Sequence, residues 1–470
     1  MDPGVCTMRT RGLKAAMVAG LVTGTVLGGA VGTQAAIPSG ASVTRRTIAP
    51  GVVYQKIVDP AGPWEIFVVK IAPESTPTVD PVLAGNTMGS YAKTSVIAQS
   101  VGAIAAINGD FGGRFGEPAH AFADDGSLMT SGMFKGSTFG VRHDKQGGAA
   151  NDAAVRIRAT DLSGSSGGVR VAKWNVGVPK SSQIRAYTSF GATSVTPPTD
   201  ACSVRLVPSS RIHLDRGSDG VYRSYDVKAR VCGGSSMNVY SGNVILSSRR
   251  NGTGSAWIKS LSSGGSVRVR WSQGTPQVVD VIGGYPLLLQ DGRVVATICG
   301  GYICLRHPRT AIGVTARGSI LLVVVDGRRS DSIGMNPRQL ALYMRNLGAV
   351  DALNLDGGGG ATMWVTGLGV VNQPSGGYQR AVTNAVVVLP GQDAGERISL
   401  VGGRSVRGRT SFTRDLGVVT GAARARAIDA AMRDAGSTGG LADLMVRLSG
   451  GGYRAGSEIQ RIAERFRLAR

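Results

Sequence analysis

Two aspartates, Asp326 and Asp356, each stand where a short apolar run stops, and this constrains the chain more than any other feature. Ser319-Ile-Leu-Leu-Val-Val-Val325 is too short and too rich in β-branched residues for a helix, and it reads as a strand buried on both faces. It ends at Asp326-Gly327-Arg328. Asn336-Pro337-Arg338-Gln339 then has the residues of a helix start: an Asn cap, Pro at the first helical position and Gln three residues after the cap. Leu340, Met344 and Leu347 follow at helical spacing, and Gly348 supplies a stop. A second short strand, Ala352–Leu355, runs into Asp356 and four consecutive glycines.

Strand, helix and strand in this order predict a βαβ unit with parallel strands, so that both aspartates emerge at the same edge of the sheet. If the strands are neighbours, the two carboxylates can face one small ligand. The glycine run would let backbone approach that ligand closely and aim N–H groups at an anion. A similar device occurs earlier, where the apolar stretch Val101–Ile107 enters Asn108-Gly109-Asp110-Phe111. Arg306-His307-Pro308-Arg309-Thr310 places a basic cluster at the mouth of another strand, Ala311–Val314.

The chain of 470 residues is long enough for two to three domains. Its 70 glycines and 5% aromatic content point to many turns and short strands. The fold class expected is α/β (α+β): a mixed-sheet core holding the βαβ unit, a β-rich inserted subdomain and a small helical C-terminal extension. Residues 1–35 read as a signal peptide, with Arg9, Arg11 and Lys14 before an apolar run and small residues at the cleavage region. A retained anchor helix is the other reading of that run. Residues 36–50 read as a linker, 51–390 as the main domain with the β-rich subdomain at 139–281, and 391–470 as an Arg-rich helical extension. Asn251-Gly252-Thr253 matches a glycosylation sequon.

Four cysteines remain after the leader, Cys202, Cys232, Cys299 and Cys304, an even number consistent with export. Of three possible pairings the sequence-local one, Cys202–Cys232 with Cys299–Cys304, is favoured. Their spacing does not suit a zinc knuckle. The net charge of +22 would draw the protein to polyanions, and for an exported chain an anionic polymer of the cell envelope is the expected partner. A basic composition without a specific partner explains the charge equally well. No nucleic-acid module with interleaved aromatics is present, so specific nucleic-acid binding is not expected.

Asn108-Gly-Asp-Phe111, Arg309-Thr-Ala-Ile-Gly-Val314, Val325-Asp-Gly-Arg328, Leu353-Asn-Leu-Asp-Gly-Gly-Gly359, Ala361-Thr-Met363 and Arg380-Ala-Val-Thr-Asn-Ala385 together resemble the phosphodiester glycosidase family, in family order across about residues 51–390. Family members often carry Ser where this chain has Gly360. The resemblance implies a secreted hydrolase that releases sugar from sugar-1-phosphate diesters or related envelope glycans. Such a substrate needs a cradle for phosphate and carboxyl groups for the charge that develops at the sugar. Asp326, Asp356 and Asp110 are the catalytic candidates, with the division among nucleophile, acid and base left open. Arg309, Gly357, Gly358, Gly359 and Thr362 are candidates for holding phosphate, and Asn108 and Asn384 for contacting the substrate. A divalent cation, Ca²⁺ or Mg²⁺, held by Asp326, Asp356 and Asn354 is a competing use of the same oxygens. A non-catalytic binder of anionic envelope polymer is the alternative function.

Overall fold

The computed structural model describes residues 40–390, apart from short interruptions at 125, 135, 143–146, 151–155, 165–166, 181–182, 210–214, 218–219, 250–251, 274–277 and 297–300, together with the strands Arg397–Leu400 and Arg404–Arg407. The expected signal peptide, Asn251 of the sequon and the helical stretches expected beyond residue 420 lie outside the described residues.

Ile320–Val325 is strand throughout and every residue of it is buried. Leu321, Val323 and Val325 point to one side, where they share a core with Leu340, Ala341, Tyr343 and Met344 of the helix Pro337–Asn346. Ile320, Leu322 and Val324 point to the other, against Ile107, Met363 and Val386 of a second sheet. Two buried faces explain why the run shows no polar alternation. The helix begins as its sequence dictates: the Asn336 side chain accepts from the Gln339 N–H at 2.9 Å, and the Gln339 side chain accepts from the Asn336 N–H at 3.0 Å.

The mixed sheet with a compact βαβ unit is not what forms. Arg309–Thr315 lies between Ile320–Val325 and Ala349–Asn354 and is antiparallel to both. Every pairing in this eight-stranded sheet is antiparallel, from the edge strand Ser42–Ala49 through Val52–Asp59 and Trp64–Ile71 to Leu287–Gln290 and Arg293–Val294. The reason is local. Arg309–Thr315 turns straight back into Ile320–Val325, with the Gly318 N–H bonded to the Thr315 carbonyl at 2.8 Å and Gly318 at φ +81°, so a short hairpin takes the position next to the central strand. The helix then crosses one extra strand. Ile320–Val325 and Ala349–Asn354 still run parallel and end at one edge, but two strand spacings apart, roughly 10 Å. Ser42–Ala49, expected as linker, is a largely exposed edge strand; its β-branched Val43, Thr44, Thr47 and Ile48 suit that pairing.

The second sheet is ordered Gly369–Val370, Met363–Val365, Ala105–Asn108, Asn384–Leu389, Thr78–Leu83. It packs one face on the first sheet and takes Ile97 and Ala98 of the helix Thr94–Ser100 on the other. Ser137–Arg142 and Val278–Gly284 pair side by side, next to the hairpin of Ala121–Asp124 and Ser127–Ser131. Between these two neighbours the chain makes a seven-stranded barrel. Its order is Ala201–Pro208, Val244–Arg249, Ile184–Tyr187, Gly168–Trp174, Arg156–Asp161, Ser266–Ser272 and Gly220–Cys232, and the last pairs back with the first. Closure leaves these strands few open edges. The disulfide Cys202–Cys232 joins directly opposed residues across the closing seam. Cys304 is disulfide-bonded as well, while Cys299, its expected partner, lies outside the described residues. Among the described residues no helix is long and apolar enough to cross a membrane.

Candidate active site

The edge where the parallel strands end carries the loop Asp356–Gly360. Three of its four glycines are needed for close approach, while a Cβ on Gly359 would meet nothing within 4 Å. A Cβ on Gly357 would stand 2.6 Å from the Pro308 carbonyl oxygen, and one on Gly360 would meet the Arg380 guanidinium and the Asp356 carboxylate. Gly358 has φ +59°, and a Cβ there would lie 3.2 Å from Arg328 Nη2. The loop is not the open amide nest expected. The Gly358 N–H bonds the Pro308 carbonyl at 2.9 Å and the Gly360 N–H bonds the Gly357 carbonyl at 3.1 Å. The glycines serve instead to bring two arginines against the backbone.

Of the three expected aspartates, Asp356 alone keeps appreciable exposure, with 17% of its side chain accessible against 1% for Asp326 and none for Asp110. It forms an ion pair with Arg380, which is itself about half exposed. Burial pushes the Asp356 carboxyl up to about 6; the Arg380 charge works against this rise and the nearby Asp110 charge adds to it.

Asp110 sits behind this group. Its Oδ1 accepts from the Phe111 N–H and lies 2.7 Å from His120 Nδ1, while Oδ2 accepts from the His120 N–H at 2.7 Å. Burial raises its pKa, and the bonds from His120 oppose the rise. Asn384 does not face the site. Its Oδ1 accepts from the Asp110 N–H at 2.7 Å, which fixes the turn that carries Asp110. Asn108 is likewise consumed: its Nδ2 donates to the Asp356 carbonyl, and its Oδ1 accepts from the Thr310 hydroxyl at 2.7 Å and the Thr362 N–H at 3.1 Å. Both asparagines therefore position the site rather than line it. Thr362 is fully buried and its hydroxyl has no hydrogen-bond partner.

Asp326 and Arg309, both buried, do other work. Asp326 Oδ1 accepts from Asn372 at 2.9 Å, and Oδ2 accepts from the Gln373 N–H at 2.9 Å and from Arg329 at 3.2 Å. Burial still raises its pKa against these donors. Arg309 donates from Nε to the Met335 carbonyl at 2.8 Å and from Nη2 to the Ile303 and Leu305 carbonyls at 2.5 and 2.8 Å. Burial lowers its pKa to about 10, so it remains a cation, one that ties loops together rather than reaching for phosphate.

The cations that do reach the glycine loop are Arg380 and Arg328. Arg328, at φ +64°, donates from Nη2 to the Tyr302 hydroxyl at 2.9 Å and lies 3.3 Å from His307 Nδ1. His307 Nε2 lies 3.0 Å from the Tyr302 carbonyl, and the two rings pack with centroids 4.3 Å apart. A neutral imidazole with its proton on Nε2 satisfies both bonds, consistent with burial and the two arginines lowering its pKa. Arg380 and Arg328 were legible as members of conspicuous motifs, but basic side chains beside turns are commonly solvated. His120 gave only the signal of a lone histidine opening the apolar run Ala121-Phe122-Ala123.

Two of the three side chains proposed for a divalent cation are committed elsewhere: the Asp326 oxygens accept from N–H donors and Asp356 is paired with Arg380. The Asn354 amide nitrogen donates to the Tyr285 and Leu355 carbonyls at 2.7 Å each, and its Oδ1 is buried without a partner. Among the described residues no group of three His, Cys, Asp or Glu side chains is placed to hold a metal.

Residues 219–389 match the phosphodiester glycosidase family. The match to the phosphodiester glycosidases begins inside the barrel and runs through Arg309, Asp326, the glycine loop and Arg380. A 94-residue stretch is 33% identical to the SPbeta prophage-derived protein YomE of Bacillus subtilis (strain 168), covering 20% of this chain and 14% of that relative. The chain thus spans about one-seventh of the curated relative it matches. A hypothetical protein from Synechocystis has a similar fold, with a TM-score of 0.58 at 24% identity over 74% of this chain and 63% of that one. A candidate exported protein from Burkholderia pseudomallei K96243 gives 0.54 at 19% identity, over 75% of this chain and 97% of that one.

Proposed function

We propose that the protein is a secreted hydrolase of the phosphodiester glycosidase type, cleaving sugar-1-phosphate diesters or related cell-envelope glycans at the Asp356 loop. The observation that carries this reading is the position of Asp356: a partly exposed carboxylate with its pKa near 6, set between Arg380 and a glycine loop that also touches Arg328. The guanidiniums take the phosphate oxygens, for which their planar donors are suited. Asp356 accepts a proton from water as the water oxygen bonds to the anomeric carbon. The bond from that carbon to the bridging phosphate oxygen breaks, and the phosphate monoester leaves with the electron pair. Because a phosphate monoester is a good leaving group, one carboxylate suffices in this scheme. Asp110, held by His120, sets the electrostatic environment of Asp356. The disulfide Cys202–Cys232 supports an extracytoplasmic location.

The test is incubation of the full chain with synthetic methyl diesters of hexose-1-phosphates of both anomers, followed by assay for free sugar and methyl phosphate. Release that disappears in Asp356→Asn supports the proposal. Salt-sensitive retention on anionic envelope polymer with no turnover of any diester would favour the second reading, a non-catalytic binder, for which the net charge of +22 speaks.

A further inference from the structure

A concave site lies in the barrel, at the tip of the hairpin whose base holds His120. Strand geometry puts that tip, Gly126, roughly 20 Å from His120, well removed from the Asp356 loop. The recess has about 520 Å³ of empty space, part of it open to solvent. Aromatic rings form much of its wall, among them Trp174, Trp271, Tyr222 and Tyr225, with Arg223, Asn243, two serines and a threonine as polar members. The hairpin forms one side of it, held by the Trp271 indole N–H on the Gly126 carbonyl at 2.9 Å and by Ser131 Oγ accepting from the Trp174 N–H at 2.9 Å.

Two donors at this wall are buried and unsatisfied. Trp174 is 5% exposed and its indole N–H has no partner; the Arg223 Nε–H is buried without one as well. A buried donor left unpaired is costly, so a group that supplies acceptors here is favoured over an apolar guest. Arg223 also bonds the Tyr225 hydroxyl, which fixes its guanidinium at this wall. Aromatic faces beside a few directed donors suit a neutral ring with C–H surfaces and hydroxyl oxygens.

From this we infer that the barrel carries a saccharide-binding site, separate from the Asp356 loop, in which a sugar ring packs on the aromatic wall and its oxygens accept from Trp174 and Arg223. The inference does not depend on the reaction proposed above. It concerns binding, and the recess would hold a sugar whether or not the protein cleaves one.

Ligand-observed NMR and calorimetry on the full chain, with a panel of neutral methyl glycosides including N-acetylated hexosamines, test it. Saturable binding with a dissociation constant on the order of millimolar is expected for at least one member. Trp174→Phe, which keeps the ring and deletes the donor, should weaken that binding about tenfold, and Arg223→Gln should weaken it similarly. Asp356→Asn should leave it unchanged. Unfolding midpoints serve as the folding control, and if Trp174→Phe fails to fold, Arg223→Gln decides. The inference is overturned if no glycoside binds and the recess holds water alone, if an apolar probe such as toluene binds there in preference to sugars, or if binding is lost in Asp356→Asn and kept in the barrel variants.

Discussion

Asn108 donates its side-chain amide to the Asp356 carbonyl at 2.6 Å, while the Asp356 N–H returns to the Gly109 carbonyl at 3.0 Å. Two strand ends from different sheets are thereby stitched at the residue proposed to do the chemistry. Asn108→Ala would strand the Thr310 hydroxyl, the Thr362 N–H and the Asp356 carbonyl in a buried place. The expected loss is about 3 kcal/mol in denaturant unfolding, together with reduced turnover in whatever fraction stays folded.

Asp356→Asn should reduce diester hydrolysis by about 10²–10⁴-fold, the usual range for a positioned proton acceptor, while the unfolding midpoint holds or rises. Sugar release and thermal unfolding measured on one preparation check both halves. Undiminished turnover would reject Asp356 as the base.

The pH profile follows from the same group. The ionised form of Asp356 is the active one, so turnover should climb as pH rises through about 6 and level off above it. Arg380 lowers this pKa, so Arg380→Gln should move the acid limb to higher pH as well as raise KM. For stability the sign is reversed. The folded pKa lies above the ordinary value of 3.8, so Asp356 favours the folded state most below about pH 4, and that contribution is lost as pH rises through about 6. Asp356→Asn should flatten that part of the stability curve.

Arg309 and Arg380 should separate cleanly in mutants. Arg309→Lys keeps the charge but cannot reach three carbonyls, and it should cost about 2–4 kcal/mol of stability with little effect on KM for the diester. Arg380→Gln should do the opposite, leaving the unfolding midpoint nearly unchanged and raising KM about tenfold. Urea titrations and initial-rate kinetics on the two variants provide the comparison.

The Cys202–Cys232 bridge closes a separation of 30 residues across the barrel seam. Replacing both cysteines by serine should destabilise the protein by about 3 kcal/mol, read as a lower unfolding midpoint, without altering the acid limb of the diester reaction.

These expectations show what could be read from residues and what could not. The Ile320–Val325 strand and the capping box at Asn336 and Gln339 were legible because each is a local signal. The neighbours of that strand were not, since an apolar run buried on both faces pairs equally well with several partners and the hairpin to Arg309–Thr315 decides among them. The engagement of Arg309 with backbone has a related origin. A basic residue at a strand mouth announces its charge, but the three carbonyls that occupy Arg309 come from residues 303, 305 and 335, and their convergence is purely tertiary. Arg328 and Arg380 reach the glycine loop for the same kind of reason, and the pairing of Asp110 with His120 depends on a turn whose shape no short motif specifies.

The strands Ser137–Arg142 and Val278–Gly284 leave and re-enter the two-sheet body as immediate neighbours. A module attached at such a doorway can be enlarged, trimmed or exchanged without shifting the register of either sheet. Descendants of this architecture can therefore alter what the barrel recognises while the Asp356 loop stays where it is.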